Sequence, residues 1–192
     1  MSLHAPPVIE DPAELELLET SDDEATVYEY VDGERVEKNM SLLSQAIGFE
    51  VGVEIKLHLR ETGTGGVVMT EPYVRCFDGS PETRRRPDVA YWRHEQYPNG
   101  LPPRGDALLP PALAVEVVSP GDSSVALEEK LAEYYRAGVE VVWVIHDSPR
   151  RVRVERPDGT AHVYREGETI PGDPVLPDLA IPVAAIFPKV EA

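Results

Sequence analysis

The chain has 192 residues, 42% of them hydrophobic, a globular composition long enough for one domain with its own core. Its formal net charge of -17 excludes a protein that coats nucleic acid by bulk attraction. The single cysteine, Cys76, excludes an intrachain disulfide and a cysteine-based zinc site, and no apolar run approaches the ~18 residues of a membrane helix.

Residues 1–7 lack the basic stretch and apolar core of a signal peptide, so a cytoplasmic protein is expected. The acidity is concentrated at the front: residues 1–40 hold 12 acidic and 2 basic side chains, against 23 and 16 in the rest. Residues 1–25, rich in Pro, Asp and Glu, read as an acidic arm with a short helix at 12–20. Residues 26–192 read as the single domain.

Within that domain, residues 26–31 and 34–38 flank Asp32-Gly33, a strong hairpin signal. Residues 41–61 place Ile47, Val51, Ile55 and Leu59 four apart, the stripe of an amphipathic helix that stops at Gly63. Strands are expected at 66–70, 73–77 and 87–92. The five prolines of residues 97–111 demand a loop. Residues 112–119 form an almost unbroken apolar run, which marks a central strand buried on both faces. A helix follows, capped by Asp122, Ser123 or Ser124 and ended by Gly138. A second buried strand is expected at 140–146, a hairpin at 151–156 and 160–165, and short strands and turns over 174–190. The strand–helix–strand unit requires a right-handed crossover and parallel pairing. The fold class is therefore α+β, a mixed sheet flanked by helices with antiparallel hairpins at both ends.

Glu116 is the most informative residue, because it lies in the buried run Leu113-Ala114-Val115-Glu116-Val117-Val118. A buried carboxylate must be paired, protonated or bound to a metal. The alternative is a strand-end glutamate reaching solvent or an arginine. Asp88 opens a second strand, and two carboxylates on two strands of one sheet make a hard oxygen site suited to Mg²⁺ or Mn²⁺. Such an ion polarises phosphoryl oxygens and acidifies water. Lys130 borders the apolar stripe formed by Leu127, Leu131, Tyr134 and Tyr135. It is placed to reach a phosphate or a nucleophilic water; the alternative is a snorkelling lysine paired with Glu129 or Glu133. Arg84, Arg85 and Arg86 offer local positive charge to a nucleic-acid backbone. No serine-hydrolase elbow, P-loop or zincin motif is present, and the five histidines show no ligand spacing.

Five segments in this order carry a resemblance: 28–40, beginning Tyr28-Glu29-Tyr30-Val31-Asp32-Gly33; Arg86-Pro87-Asp88-Val89-Ala90; Leu113 to Pro120; Glu129-Lys130-Leu131-Ala132-Glu133-Tyr134; and 138–145. Together they resemble the Uma2 family, endonuclease-like bacterial proteins of the PD-(D/E)xK superfamily, over about residues 26–188. The resemblance implies a restriction-endonuclease-like fold. It implies Asp88, Glu116 and Lys130 as catalytic residues, the first two holding Mg²⁺ or Mn²⁺. The usual lysine position two residues beyond Glu116 is Val118, so the lysine is expected from the following helix, as Lys130. Substrate contacts are expected from Arg84, Arg85, Arg86, Ser119 and Tyr134. The expected partner is nucleic acid, DNA foremost, with a possible homodimer through an edge strand near Val152, Val154 and Val163. The competing expectation is an inactive module of the same fold that binds a protein or nucleic acid.

Overall fold

Ser41 opens the first helix, its hydroxyl accepting from the Ser44 amide while the Ser44 side chain returns a bond to the Ser41 amide. In the computed structural model, which describes residues 27–77, 82–101, 104–119 and 121–189, this helix (α1) spans Leu42–Thr62 and ends at Gly63 with φ 68°. Ile47, Val51, Ile55 and Leu59 all face inward, as their spacing predicts. The arm at 1–25 and its helix at 12–20 lie outside the described residues.

Ahead of α1 stands a hairpin, β1 (Tyr28–Val31) and β2 (Glu34–Glu37), turning at Asp32-Gly33. The central sheet follows: β3 (Val67–Thr70), β4 (Val89–Trp92), β5 (Leu113–Val118), β6 (Val141–His146), β7 (Arg151–Glu155) and β8 (Ala161–Arg165), in that spatial order. Only β5 and β6 pair in parallel, joined through the second helix, α2 (Ser124–Ala137), with Ser123 as its cap and Gly138 as its stop. A small pair, β9 (Thr169–Pro171) and β10 (Ala180–Pro182), closes the fold.

One expected strand is not formed. At 73–77 the structure has only isolated bridges, Val74 to Arg85 and Val74 to Ala107. Val74 and Arg85 exchange both backbone hydrogen bonds, at 2.8 and 3.0 Å. The next hydrogen-bonding position of that antiparallel ladder would set residue 72 against residue 87. Both are proline and neither has an N–H, so the ladder cannot extend in that direction; Tyr73 and Arg75 bond Ala107 instead.

The sheet divides the core by the alternation of its side chains. Val89, Leu113, Val115, Val117, Trp143 and Ile145 face α1 and the C-terminal segment. Ala114, Val142 and Val144 face α2 through Leu131 and Tyr134. Glu116 falls on the α2 face by the same parity, a carboxylate in an otherwise apolar layer. At the far edge, β8 is largely exposed.

Candidate metal and phosphate site

The β4–β5 register brings the two predicted carboxylates together. Val89 pairs with Val115 and Ala90 with Ala114, which brings Asp88, just ahead of β4, to the Glu116–Val117 end of β5. Asp88 is 4% exposed and Glu116 is 4% exposed. Asp88 Oδ2 accepts from the Val117 amide at 2.6 Å, which locks the aspartate onto the backbone of β5.

Two lysines keep these like charges apart. Lys130 Nζ donates to Glu116 Oε2 at 3.0 Å, and the Tyr134 hydroxyl donates to Glu116 Oε1 at 2.6 Å. Lys38 Nζ, just past the β1–β2 hairpin, donates to Asp88 Oδ1 at 2.8 Å, Glu71 Oε2 at 2.9 Å and the Arg86 carbonyl at 2.7 Å. Glu29, from the middle of β1, lies 2.8 Å from Lys130 Nζ, pairs with Arg85 at 3.0 Å and accepts from the Arg86 amide at 2.8 Å. Arg85 in turn grips Glu133 of α2 with two bonds, at 2.7 and 2.8 Å.

Sequence reasoning placed Asp88, Glu116 and Lys130, and the structure brings all three together. It missed Glu29, Lys38 and Glu71. Glu29 carries a faint signal, an acid between two aromatics in a four-residue strand. Lys38 and Glu71 carry none, because their roles come from chain segments meeting in space.

The side chains expected to contact substrate all have partners within the protein. Arg85 is 7% exposed, with its guanidinium committed to Glu29 and Glu133, so it is closed to a phosphate. Arg84 is held by Asp106 and lies over the Tyr73 ring, and Arg86 is held by Glu71. The triplet is a set of internal ties because each arginine has a carboxylate within reach. Tyr134 is fully buried and orders Glu116 instead of touching a ligand. Ser119 donates its hydroxyl to Asp147 at 2.8 Å. Lys130 pairs with Glu116 and Glu29, not with Glu129 or Glu133.

Electrostatics separate the acids into two kinds. Burial pushes Glu116 up, with Asp88 adding to the rise and Lys130 opposing it. Burial also pushes Asp88 up, against the pull of Lys38. Burial acts on Glu29 in the same sense, but Lys130 and Arg85 outweigh it and hold that carboxyl below its ordinary value. Burial opposes the charge of Lys130, yet Glu116 and Glu29 prevail and keep it protonated beyond the usual lysine range.

The signs give a paired prediction. A carboxyl raised in the folded state stabilises the protein only in acid, and that contribution is lost as pH rises through its folded pKa. The charge of Glu116 is therefore a net cost to the fold wherever the group ionises, and Glu116→Gln removes that charge while its amide oxygen still accepts from Tyr134. Glu29 is the opposite case: its stabilisation is present above the ordinary 4.5 and lost as pH falls through its depressed pKa. We expect Glu116→Gln to raise the melting temperature at pH 7 by about 2–4 °C, the equivalent of about 1 kcal/mol in a chain of this size. Glu29→Gln should lower it by at least as much. Thermal melts decide it, and two shifts of the same sign would refute this division of the acids.

As a metal site, the donor set has the right chemistry: carboxylate oxygens of Asp88, Glu116 and Glu71 and a backbone carbonyl, all hard oxygens suited to Mg²⁺ or Mn²⁺. As they stand, the described residues hold no group of three or more His, Cys, Asp or Glu side chains able to take a metal. Lysine ammoniums occupy the space between the acids.

A crystal structure of a "putative nuclease belonging to DUF820 from Anabaena variabilis ATCC 29413" matches with a TM-score of 0.72 at 20% sequence identity, over 90% of this chain and 95% of that one. At that identity the likeness establishes the fold, a nuclease-type mixed sheet with two helices. No curated protein matches. Among the described residues no helix is long and apolar enough to cross a membrane. The Uma2 family model, described as "Putative restriction endonuclease", matches residues 12–184, and the chain belongs to the Uma2 family.

Proposed function

We propose that this chain is a Mg²⁺- or Mn²⁺-dependent phosphodiesterase that cleaves nucleic acid, DNA foremost, in the cytoplasm. The observation that carries this reading is Asp88, at the head of β4, bonded to the Val117 amide beside Glu116 of β5, with Lys130 on Glu116. Asp88 and Glu116 would hold the metal. When bound, such an ion acidifies a water and draws charge from a phosphoryl oxygen.

The remaining work falls to side chains. Lys130 stays protonated at any working pH, so it serves as a charged donor to a phosphate oxygen or to the attacking water, not as a base. Glu29 and Glu116 fix its ammonium from two sides. Tyr134 and the Val117 amide hold the two metal-binding carboxylates in place. The charge of the network supports the same reading. Five carboxylates (Glu29, Glu71, Asp88, Glu116, Glu133) face four cations (Lys38, Arg85, Arg86, Lys130), one charge short of neutral. A divalent cation and a phosphodiester group together bring that balance to zero.

The open edge of β8 is where a second copy would pair. A second reading, an inactive module of this fold, is favoured by one feature. The cleft of about 450 Å³ beside Arg85 is lined by Asp32, Glu34 and Glu129, which would attract a cationic partner and repel DNA. Conversion of supercoiled plasmid with Mn²⁺ separates the two. We expect wild-type protein to nick and Asp88→Ala to fall to background, a loss of at least about 10³-fold, since one such site residue contributes that order. Equal behaviour of the two proteins would remove the nuclease reading and leave the module.

A further inference from the structure

Lys38 has the surroundings of a bound cation. Its side chain is 8% exposed, and three oxygens converge on its ammonium: Asp88 Oδ1, Glu71 Oε2 and the Arg86 carbonyl. Two anionic oxygens and one carbonyl around one positive centre are the donors that hard divalent cations take. Glu71 reaches this point from a left-handed backbone, φ 53°, which an ordinary residue adopts only when its surroundings impose it. Its amide donates to the Asp88 carbonyl at 3.1 Å, so the two acids are also tied through the backbone.

We infer that Lys38 is the resident counter-ion of the metal site, that the divalent cation displaces it, and that Glu71 then becomes a metal ligand beside Asp88. This rests on the metal-dependent reading above. The argument is electrostatic. Asp88 Oδ1 cannot sit at contact distance from an ammonium and from a divalent ion without bringing the two cations within a few ångströms of each other. One must leave, and Lys38 is the one on a movable stem. It follows the β2 strand, whose residues are all exposed, and its side chain is unbranched and flexible. Lys130 differs, since it stands on α2 between two other carboxylates and keeps both when Asp88 changes partner. In the absence of metal, Lys38 shields Asp88 from Glu116 and keeps the site shut to cations.

The test uses Mn²⁺ itself and does not depend on cleavage. By calorimetric titration, Lys38→Met should bind Mn²⁺ at least tenfold more tightly than wild type, and Glu71→Gln at least tenfold more weakly. Equal or weaker binding by Lys38→Met, with wild type still binding, would overturn the counter-ion assignment and leave the metal reading intact. No binding by either protein at millimolar Mn²⁺ would remove both. The wild-type chain supplies a second measurement should Lys38→Met fold poorly. It has four lysines, Lys38, Lys56, Lys130 and Lys189, so acetylation by an N-hydroxysuccinimide ester can be read site by site in a mass spectrometer. Relative to the exposed Lys56, labelling of Lys38 should rise at least fivefold on adding Mn²⁺. Protection of Lys38 that persists while Mn²⁺ is bound would refute displacement.

Discussion

Arg85→Met is expected to destabilise the fold by about 3–5 kcal/mol, the range for removing one partner of a buried ion pair. Arg85 lies between Glu29 of β1 and Glu133 of α2, with three hydrogen bonds at 2.7, 2.8 and 3.0 Å. Burial opposes its charge, but Glu133 and Glu29 more than compensate and push its pKa above the ordinary arginine value. Methionine has the right length and no charge, so both carboxylates would lose a cation in a dry setting. Glu29 would then draw on Lys130 alone, which loosens the tie from the hairpin to α2. Arg85→Lys should recover only part of the loss, because a point charge cannot reproduce the two-pronged grip on Glu133. Urea denaturation measures the change. A loss below about 1 kcal/mol, the scale of an exposed pair, would mean that the guanidinium is solvated and free to meet a phosphate after all.

The second large effect is expected at Lys130. Lys130→Met should lower cleavage at saturating Mn²⁺ by about 10²–10³-fold, the scale of losing one well-placed donor to transition-state charge. Mn²⁺ binding should be retained or tightened, since the network loses a cation and keeps its carboxylates. Lys130→Arg keeps the charge, but its planar fork cannot take the place of a compact ammonium between Glu116 and Glu29, and it should restore little activity. A lysine with a merely structural role behaves otherwise: the melting temperature falls, while turnover per folded molecule stays within a few-fold of wild type. Single-turnover rates together with the metal titration separate the two outcomes.

Much of the fold and part of this site could be read from the chain alone. The four-residue spacing of Ile47, Val51, Ile55 and Leu59 determined α1 and its buried face, and Gly63 determined its end. The apolar run around Glu116 marked a buried strand, and a carboxylate there demanded a partner. Those features are local, since periodicity, turn chemistry and the cost of an unpaired buried charge act within one segment. The short 73–77 segment misled because its β-forming residues are local, whereas the Pro72–Pro87 opposition that stops its ladder is a matter of register between distant segments. The rest of the network, beyond Asp88, Glu116 and Lys130, was likewise out of reach of sequence reasoning. Glu29, Lys38, Glu71 and Lys130 are separated by up to a hundred residues, and their convergence depends on how the hairpin, the β3–β4 connection and α2 meet over one face of the sheet. The arginine triplet shows the same division. Its positive charge is evident in the sequence, but only tertiary structure decided its partners, because four carboxylates from other segments arrive to meet it.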